Sequence, residues 1–233
     1  GASVAGIDLT GNGVLHGDVT DRDAISAAVG RAAERLGGID ILINNAGIGS
    51  AHDAGAFPDA SARRILDVNF FGAWNTTAAA MGYLLASGGR VVNISSGLAF
   101  VDLPFAAAYS ASKRALDAYS AALALEYRGR ISVVTVHPGY VRTKIHDASR
   151  AQGVALEGIV RADTVDKAAS AIVRACATGR PGTTSLRSRV ELTVARRLPR
   201  LAGWAIDRKL RRHPQKLLTS LSESEVEGLK RSG

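Results

Sequence analysis

Thiols, aromatic rings and long apolar runs are all scarce in this chain. Its 233 residues include one cysteine, Cys176, which excludes an intramolecular disulfide and any scaffold stapled by bridges. The surrounding ASAIVRACATG reads as a helix packed on the core, so no reactive thiol is expected there. His16, His52, His137, His146 and His213 show no metal-ligand spacing; ordinary hydrogen-bonding roles are expected for them, and no metal is predicted. No run approaches the roughly 18 apolar residues of a membrane-spanning helix, and no basic-then-apolar signal segment opens the chain. A soluble cytoplasmic protein is the expectation.

With 46% apolar residues, the chain is long enough for one substantial core and a single α/β domain. The formal net charge is +8, and its placement is uneven. Residues 180–233 hold 13 Lys/Arg against five acids, whereas residues 1–179 hold 16 of each. An electrostatic partner should therefore be sought at the tail.

Four β-branched runs, 3–9, 39–45, 90–96 and 131–138, are continuous rather than alternating, as in strands buried on both faces of a parallel sheet. A shorter run at 14–18 is read as another strand. Ala-rich segments of helical length lie between them at 21–36, 60–87 and 107–128, and Thr20 with Asp23 gives the first a capping-type start. Alternating strands and helices imply right-handed crossovers and a doubly wound, Rossmann-type sheet. There is no internal repeat. Ligands of such sheets bind beyond the carboxyl ends of the strands. Small and polar residues gather at those ends: Asp8, Asn44-Asn45-Ala46-Gly47, Ser95-Ser96, Pro138-Gly139, and Asp18 at the tip of the short run.

Tyr109 and Lys113 are spaced i,i+4, which places them on one helix face. An ammonium there would stabilise a phenolate and lower the tyrosine pKa toward neutrality, making Tyr109 a general acid/base. The competing reading is a surface Tyr and Lys one turn apart. Ser96, 13 residues earlier at a strand end, could hydrogen-bond a substrate oxygen. Asn69 sits inside a helical segment whose interior disfavours Asn, so it either caps a distortion or serves a site.

Together Asn44-Asn45-Ala46-Gly47, Asn69, Ser96, Tyr109-x-x-x-Lys113 and Pro138-Gly139-x-Val141-x-Thr143 resemble the ordered signature of the short-chain dehydrogenase/reductase family over about residues 1–180. The resemblance implies an NAD(P)-dependent oxidoreductase. Tyr109 would be the acid/base, Lys113 its activator and ribose ligand, Ser96 the residue that orients substrate, and Asn69 a water holder. Asn45, Ala46 and Gly47 would line the adenosine side, with Asp18 and Val19 near adenine. Thr143 and Val141, after Pro138 and Gly139, would fix the nicotinamide carboxamide. Asp8, placed to accept from a ribose 2′-hydroxyl and to repel a 2′-phosphate, favours NAD over NADP.

The chain departs from the family in lacking its first strand and glycine-rich phosphate turn. Because that strand is central, a gap and unpaired edges are expected. Two explanations follow: a longer natural protein, which we favour, or a catalytically impaired scaffold or regulatory relative. Phe100, Val101, Leu103, Phe105, Tyr140 and Ile145 flank the site and suggest a lipophilic alcohol or ketone, although each could equally be core. The helix at 107–128 is small or apolar nearly all round, so a second subunit is expected to cover it, in a homodimer or homotetramer. The expected division is a catalytic domain over 1–183 and a basic amphipathic extension over 184–233. In the extension, two helices separated by Pro199 could form a lid, lie on anionic membrane through 188–213, or stay solvated. Nucleic acid is not expected, since no aromatic stacking platform accompanies the charge.

Overall fold

Valines at alternate positions sort the sheet into two faces. In the computed structural model, which describes residues 1–152, 154 and 162–212, strands β3 (Ile41–Asn44), β4 (Arg90–Ile94), β5 (Ser132–His137) and β6 (Gly182–Thr183) pair in that order, all parallel. Val91 packs with Ile25, Val29, Leu84 and Leu123, whereas its neighbour Val92 joins Val134, Val136, Ala171 and Ala175 on the opposite face. Successive strand side chains point to opposite faces, so each face acquires its own helical layer. Helices α1 (Arg22–Leu36), α3 (Ala73–Ser87) and α4 (Ala107–Glu126) supply the first; α6 (Val165–Thr178) supplies the second. The result is the doubly wound sheet expected.

The sheet comes in two pieces. Strands β1 (Ile7–Asp8) and β2 (Leu15–His16) pair only with each other among the described residues. The outer side of β3 is accordingly open, with Ile41 42% and Ile43 44% exposed. Continuous burial, expected of every run, is approached in β4 and β5, which have no exposed residue, but fails for 39–45, where Ile41 and Ile43 are exposed, and for 3–9, where only two residues pair and Val4 is exposed. A strand without neighbours on both sides has nothing to bury its side chains.

Helix starts and interruptions supply two more corrections. Asp21, not Thr20, caps α1, accepting from the backbone N–H of Asp23 and Ala24 at 3.0 Å each; Thr20 instead donates to Asp18 at 2.7 Å. The predicted helix 60–87 is broken into α2 (Ala60–Leu66), a π-helical turn Asp67–Gly72, and α3. Beyond α5 (Asp147–Ala151) and β6 come α7 (Leu186–Arg197) and α8 (Pro199–Arg212). Proline stands at the first position of α8, where its missing N–H costs nothing. Among the described residues no helix is long and apolar enough to cross a membrane. His213 and the rest of the basic extension lie outside them.

Candidate active site

The carboxyl ends of β3, β4 and β5 open into one cavity of about 540 Å³. Asn45 and Gly47 follow β3, Ser95 and Ser96 follow β4, and Pro138, Gly139, Val141 and Thr143 follow β5; all line the cavity. Tyr109 and Lys113 join them from α4. Sequence motifs up to 98 residues apart, Asn45 to Thr143, thus meet on one wall. Asp8, Asp18, Val19 and Ala46 are not among the residues that line it.

Asn69 stands behind the wall, delivered by the π-turn. It is 1% exposed, and its Nδ2 donates to the Ile48 carbonyl and to Ser112 Oγ at 3.0 Å each, while Oδ1 accepts from the Ile48 N–H at 2.8 Å. The amide therefore ties the loop after β3 to α4. A Cβ at Gly47 would stand 3.3 Å from Asn69 Oδ1 and 3.6 Å from Lys113 Nζ, so glycine lets the loop after β3 approach both groups closely. A second buried network backs the site: Asn44 Nδ2 donates to Thr77 Oγ1 at 2.9 Å and to Asn93 Oδ1 at 2.8 Å, and Asn93 Nδ2 donates to Ser120 Oγ at 2.7 Å. These bonds satisfy polar groups that burial would otherwise penalise, and they lock β3 and β4 to α3 and α4.

Lys113 is 4% exposed and donates from Nζ to the Ile94 carbonyl at 2.9 Å. Burial lowers its pKa to about 8, with the Asp117 carboxylate acting in the opposite sense. Its Nζ lies 5.7 Å from the Tyr109 ring centroid. The lowered tyrosine pKa expected from this pairing is not found. Burial of Tyr109 pushes it above its ordinary value, opposed by a hydrogen bond with Ser96. Desolvation disfavours the phenolate, and burial disfavours the charge on Lys113 as well.

Tyr109 also lines a smaller adjoining cavity with Leu98, Phe105, Tyr140 and Ile145. Phe105 sits in the left-handed region at φ 62°, rare for a residue with a Cβ. Val101, Leu103, Tyr140 and Ile145 line the main cavity; Phe100 lies outside both sets and packs against His137, at 5.4 Å between ring centroids. Ser188, Glu191 and Leu192 of α7 close the main cavity from one side, and the Arg196 guanidinium lies 4.9 Å from the Phe100 ring centroid. His137 makes the kind of hydrogen bond expected of it, at 2.9 Å to Asp117, a partner that sequence reading missed. The available signal was the continued four-residue spacing from Tyr109 through Lys113 to Asp117.

The wall suits the nicotinamide-ribose half of a dinucleotide. An ammonium has three donors, and Lys113 lines the cavity beside Gly47 with capacity beyond its bond to Ile94. On the other half, Asp8 is exposed, bonded by the Thr10 N–H at 3.4 Å. Asp18 is already engaged, by the Thr20 N–H at 2.8 Å and by Arg64 at 3.0 Å. Its pKa is lowered chiefly by the Thr20 backbone bond.

Residues 11–153 match the family model described as short chain dehydrogenase. Over 161 residues the chain is 34% identical to the D-beta-hydroxybutyrate dehydrogenase of Rhizobium meliloti (strain 1021), covering 65% of this chain and 62% of that protein. It is 36% identical over 137 residues to the (-)-trans-carveol dehydrogenase of Rhodococcus erythropolis, covering 56% and 48%. The alignments thus span about half to three fifths of the length of these two relatives. The ligand-free aldohexose dehydrogenase of Thermoplasma acidophilum superposes with a TM-score of 0.64 at 26% identity, over 76% of this chain and 80% of that one. A family model matched over more than half of the chain, with its motifs meeting at one set of strand ends, establishes that this protein belongs to the short-chain dehydrogenase family.

Proposed function

We propose that the protein is an NAD(P)-dependent oxidoreductase that interconverts a lipophilic secondary alcohol and its ketone. The observation that carries this reading is that Ser96, Tyr109 and the buried Lys113 line the same cavity as Val101, Leu103, Tyr140 and Ile145. In the oxidative direction Tyr109 removes the alcohol's hydroxyl proton while Ser96 hydrogen-bonds the same oxygen. Lys113 stabilises the charge that passes through the phenol. A nicotinamide held there would supply the acceptor for the hydride of the carbinol carbon. Thr143 and Val141, beside Pro138 and Gly139, orient the carboxamide, and Asn69 holds the loop that faces them or a relay water. Asn45, Ala46, Gly47, Asp18 and Val19 serve the adenosine side, and the exposed Asp8 carboxylate favours NAD over NADP.

NADH formation from a panel of lipophilic secondary alcohols tests the reading. Turnover in the full chain, reduced about 10²- to 10⁴-fold in Tyr109→Phe, supports it; dinucleotide binding without turnover supports the rival, a catalytically impaired scaffold. That rival draws on the raised Tyr109 pKa.

Residues 1–183 act as the catalytic domain and 184–233 as a basic extension. Within the extension, Ser188, Glu191 and Leu192 favour a lid role for α7, since they face the cavity. Helix α8 suits an anionic lipid surface: Leu201 and Trp204 are 51% and 57% exposed, with Arg200, Arg208, Lys209 and Arg211 around them. The apolar groove of α3 and α4, lined by Phe70, Trp74, Ala118, Tyr119 and Ala122, is read as the face that meets a second copy of this chain.

A further inference from the structure

Helix α4 repeats ionisable side chains every four residues, at Tyr109, Lys113 and Asp117, and only the first two enter the proposed chemistry. Burying an ammonium is costly unless an opposite charge lies close. The Ile94 carbonyl that Lys113 bonds is neutral, so the compensating charge has to come from elsewhere. Asp117, one turn further along the same face, is the charge that acts on Lys113.

Asp117 is itself precariously held. Its Oδ2 accepts from His137 Nε2 at 2.9 Å, with the two side chains 17% and 9% exposed. Its Oδ1 is buried without a hydrogen-bond partner. A carboxylate only accepts, so the His137 proton must sit on Nε2. That single bond is the donor support of a largely buried carboxylate, and it fixes where the group points. His137 is fixed in turn, as the last residue of β5, against the Phe100 ring.

We propose that Asp117 and His137 are a positioning pair that keeps the Lys113 amine charged beside Tyr109. His137 holds the carboxylate in place, and the carboxylate acts on the ammonium. Neither needs to touch substrate.

Other charged groups on the elements around α4 are engaged or turned away. Arg114, on α4 itself, bonds Asp102 and the Ala99 carbonyl. From the α2 stretch, Arg64 bonds Asp18, Arg63 is exposed, and Asp67 is half-buried in the π-turn. From α7, Arg196 lies over Phe100 and Glu191 bonds Arg187. Asp163 bonds Thr184 and Ser188.

The proposal rests on the role given to Lys113 under the proposed function, so its test does not require turnover. The ¹³Cε resonance of Lys113, assigned by its loss in Lys113→Arg, is titrated in the full chain. In wild type the midpoint is expected near 8. In Asp117→Asn the amine should bind its proton about tenfold less tightly or weaker still. His137→Phe should reproduce that loss, and His137→Gln, which keeps an N–H donor, should restore most of it. An unchanged midpoint in both Asp117→Asn and His137→Phe overturns the pair. Where an alcohol is turned over, the alkaline limb of kcat/KM should move with the NMR midpoint; a limb that stays fixed while the midpoint moves contradicts the functional role. Midpoints that move in a protein with no turnover leave the pair standing and refute the enzymatic reading instead.

Discussion

Lys113 stores an electrostatic conflict that stability measurements can read. Its depression from 10.5 to about 8 corresponds to about 3 kcal/mol of disfavoured charge in the folded state. Unfolded chains hold that proton up to 10.5, so between about 8 and 10.5 the unfolded state binds more protons and stability rises with pH. Urea unfolding of wild type and Lys113→Met across that window should show wild type gaining about 3 kcal/mol relative to the variant; a constant difference would contradict the burial of a titrating amine. Tyr109, Ser96 and Lys113 were legible as site candidates because a short spacing and a strand end announce them. Asp117 and His137 were not, because their bond joins a helix to a strand 20 residues later, and nothing local marks a histidine before proline as the partner of an aspartate. The direction of the Tyr109 pKa was misjudged for a related reason: i,i+4 spacing reveals the neighbouring amine but not how dry the phenol is.

At the scale of elements, the π-turn Asp67–Gly72 makes the site possible. An extra residue in one turn rotates Asn69 toward Ile48 and Ser112, where its amide makes three hydrogen bonds. Asn69→Ala should therefore cost about 2–4 kcal/mol of stability by urea denaturation, since the Ile48 N–H and carbonyl lose their side-chain partner. A loss under 1 kcal/mol would mean that water replaces the amide. The same turn ends at Gly72, where a Cβ would come within 2.5 Å of Val19 Cγ2. Gly72→Ala is expected to destabilise by about 1–3 kcal/mol, and Val19→Ala in the same chain to recover most of it. The sequence showed one long helix because a π-turn leaves composition and apolar spacing almost unchanged. The misfit of Asn in a helix interior was the sole signal, and it did point to a distortion. The parallel strands at 90–96 and 131–138 were readable from β-branched runs, whereas β6, with two residues, is too short to leave a pattern.

Across the whole molecule, two surfaces remain to be matched with partners. Trp74 and Tyr119 stack at 4.8 Å on the α3–α4 face, and a second copy seated there should be lost in Ala118→Arg. Sedimentation velocity at micromolar concentration is expected to show a dimer or tetramer for wild type and monomer for the variant. Helix α8 should bind vesicles containing phosphatidylserine but not neutral ones, more weakly at high salt, and Leu201→Asp with Trp204→Asp should abolish the binding. Charge counting directed the search for an electrostatic partner to the tail, and the structure separates α7, with residues lining the cavity, from the largely exposed α8. The central claim concerns the cavity itself, and isotope transfer tests it most directly. The full chain, given NAD and a secondary alcohol deuterated at the carbinol carbon, should move deuterium to the nicotinamide ring with a primary kinetic isotope effect, and Tyr109→Phe should bind NAD as wild type does yet transfer little or none. Ketone formation without label in the recovered NADH, or equal transfer by the Tyr109→Phe variant, would contradict it.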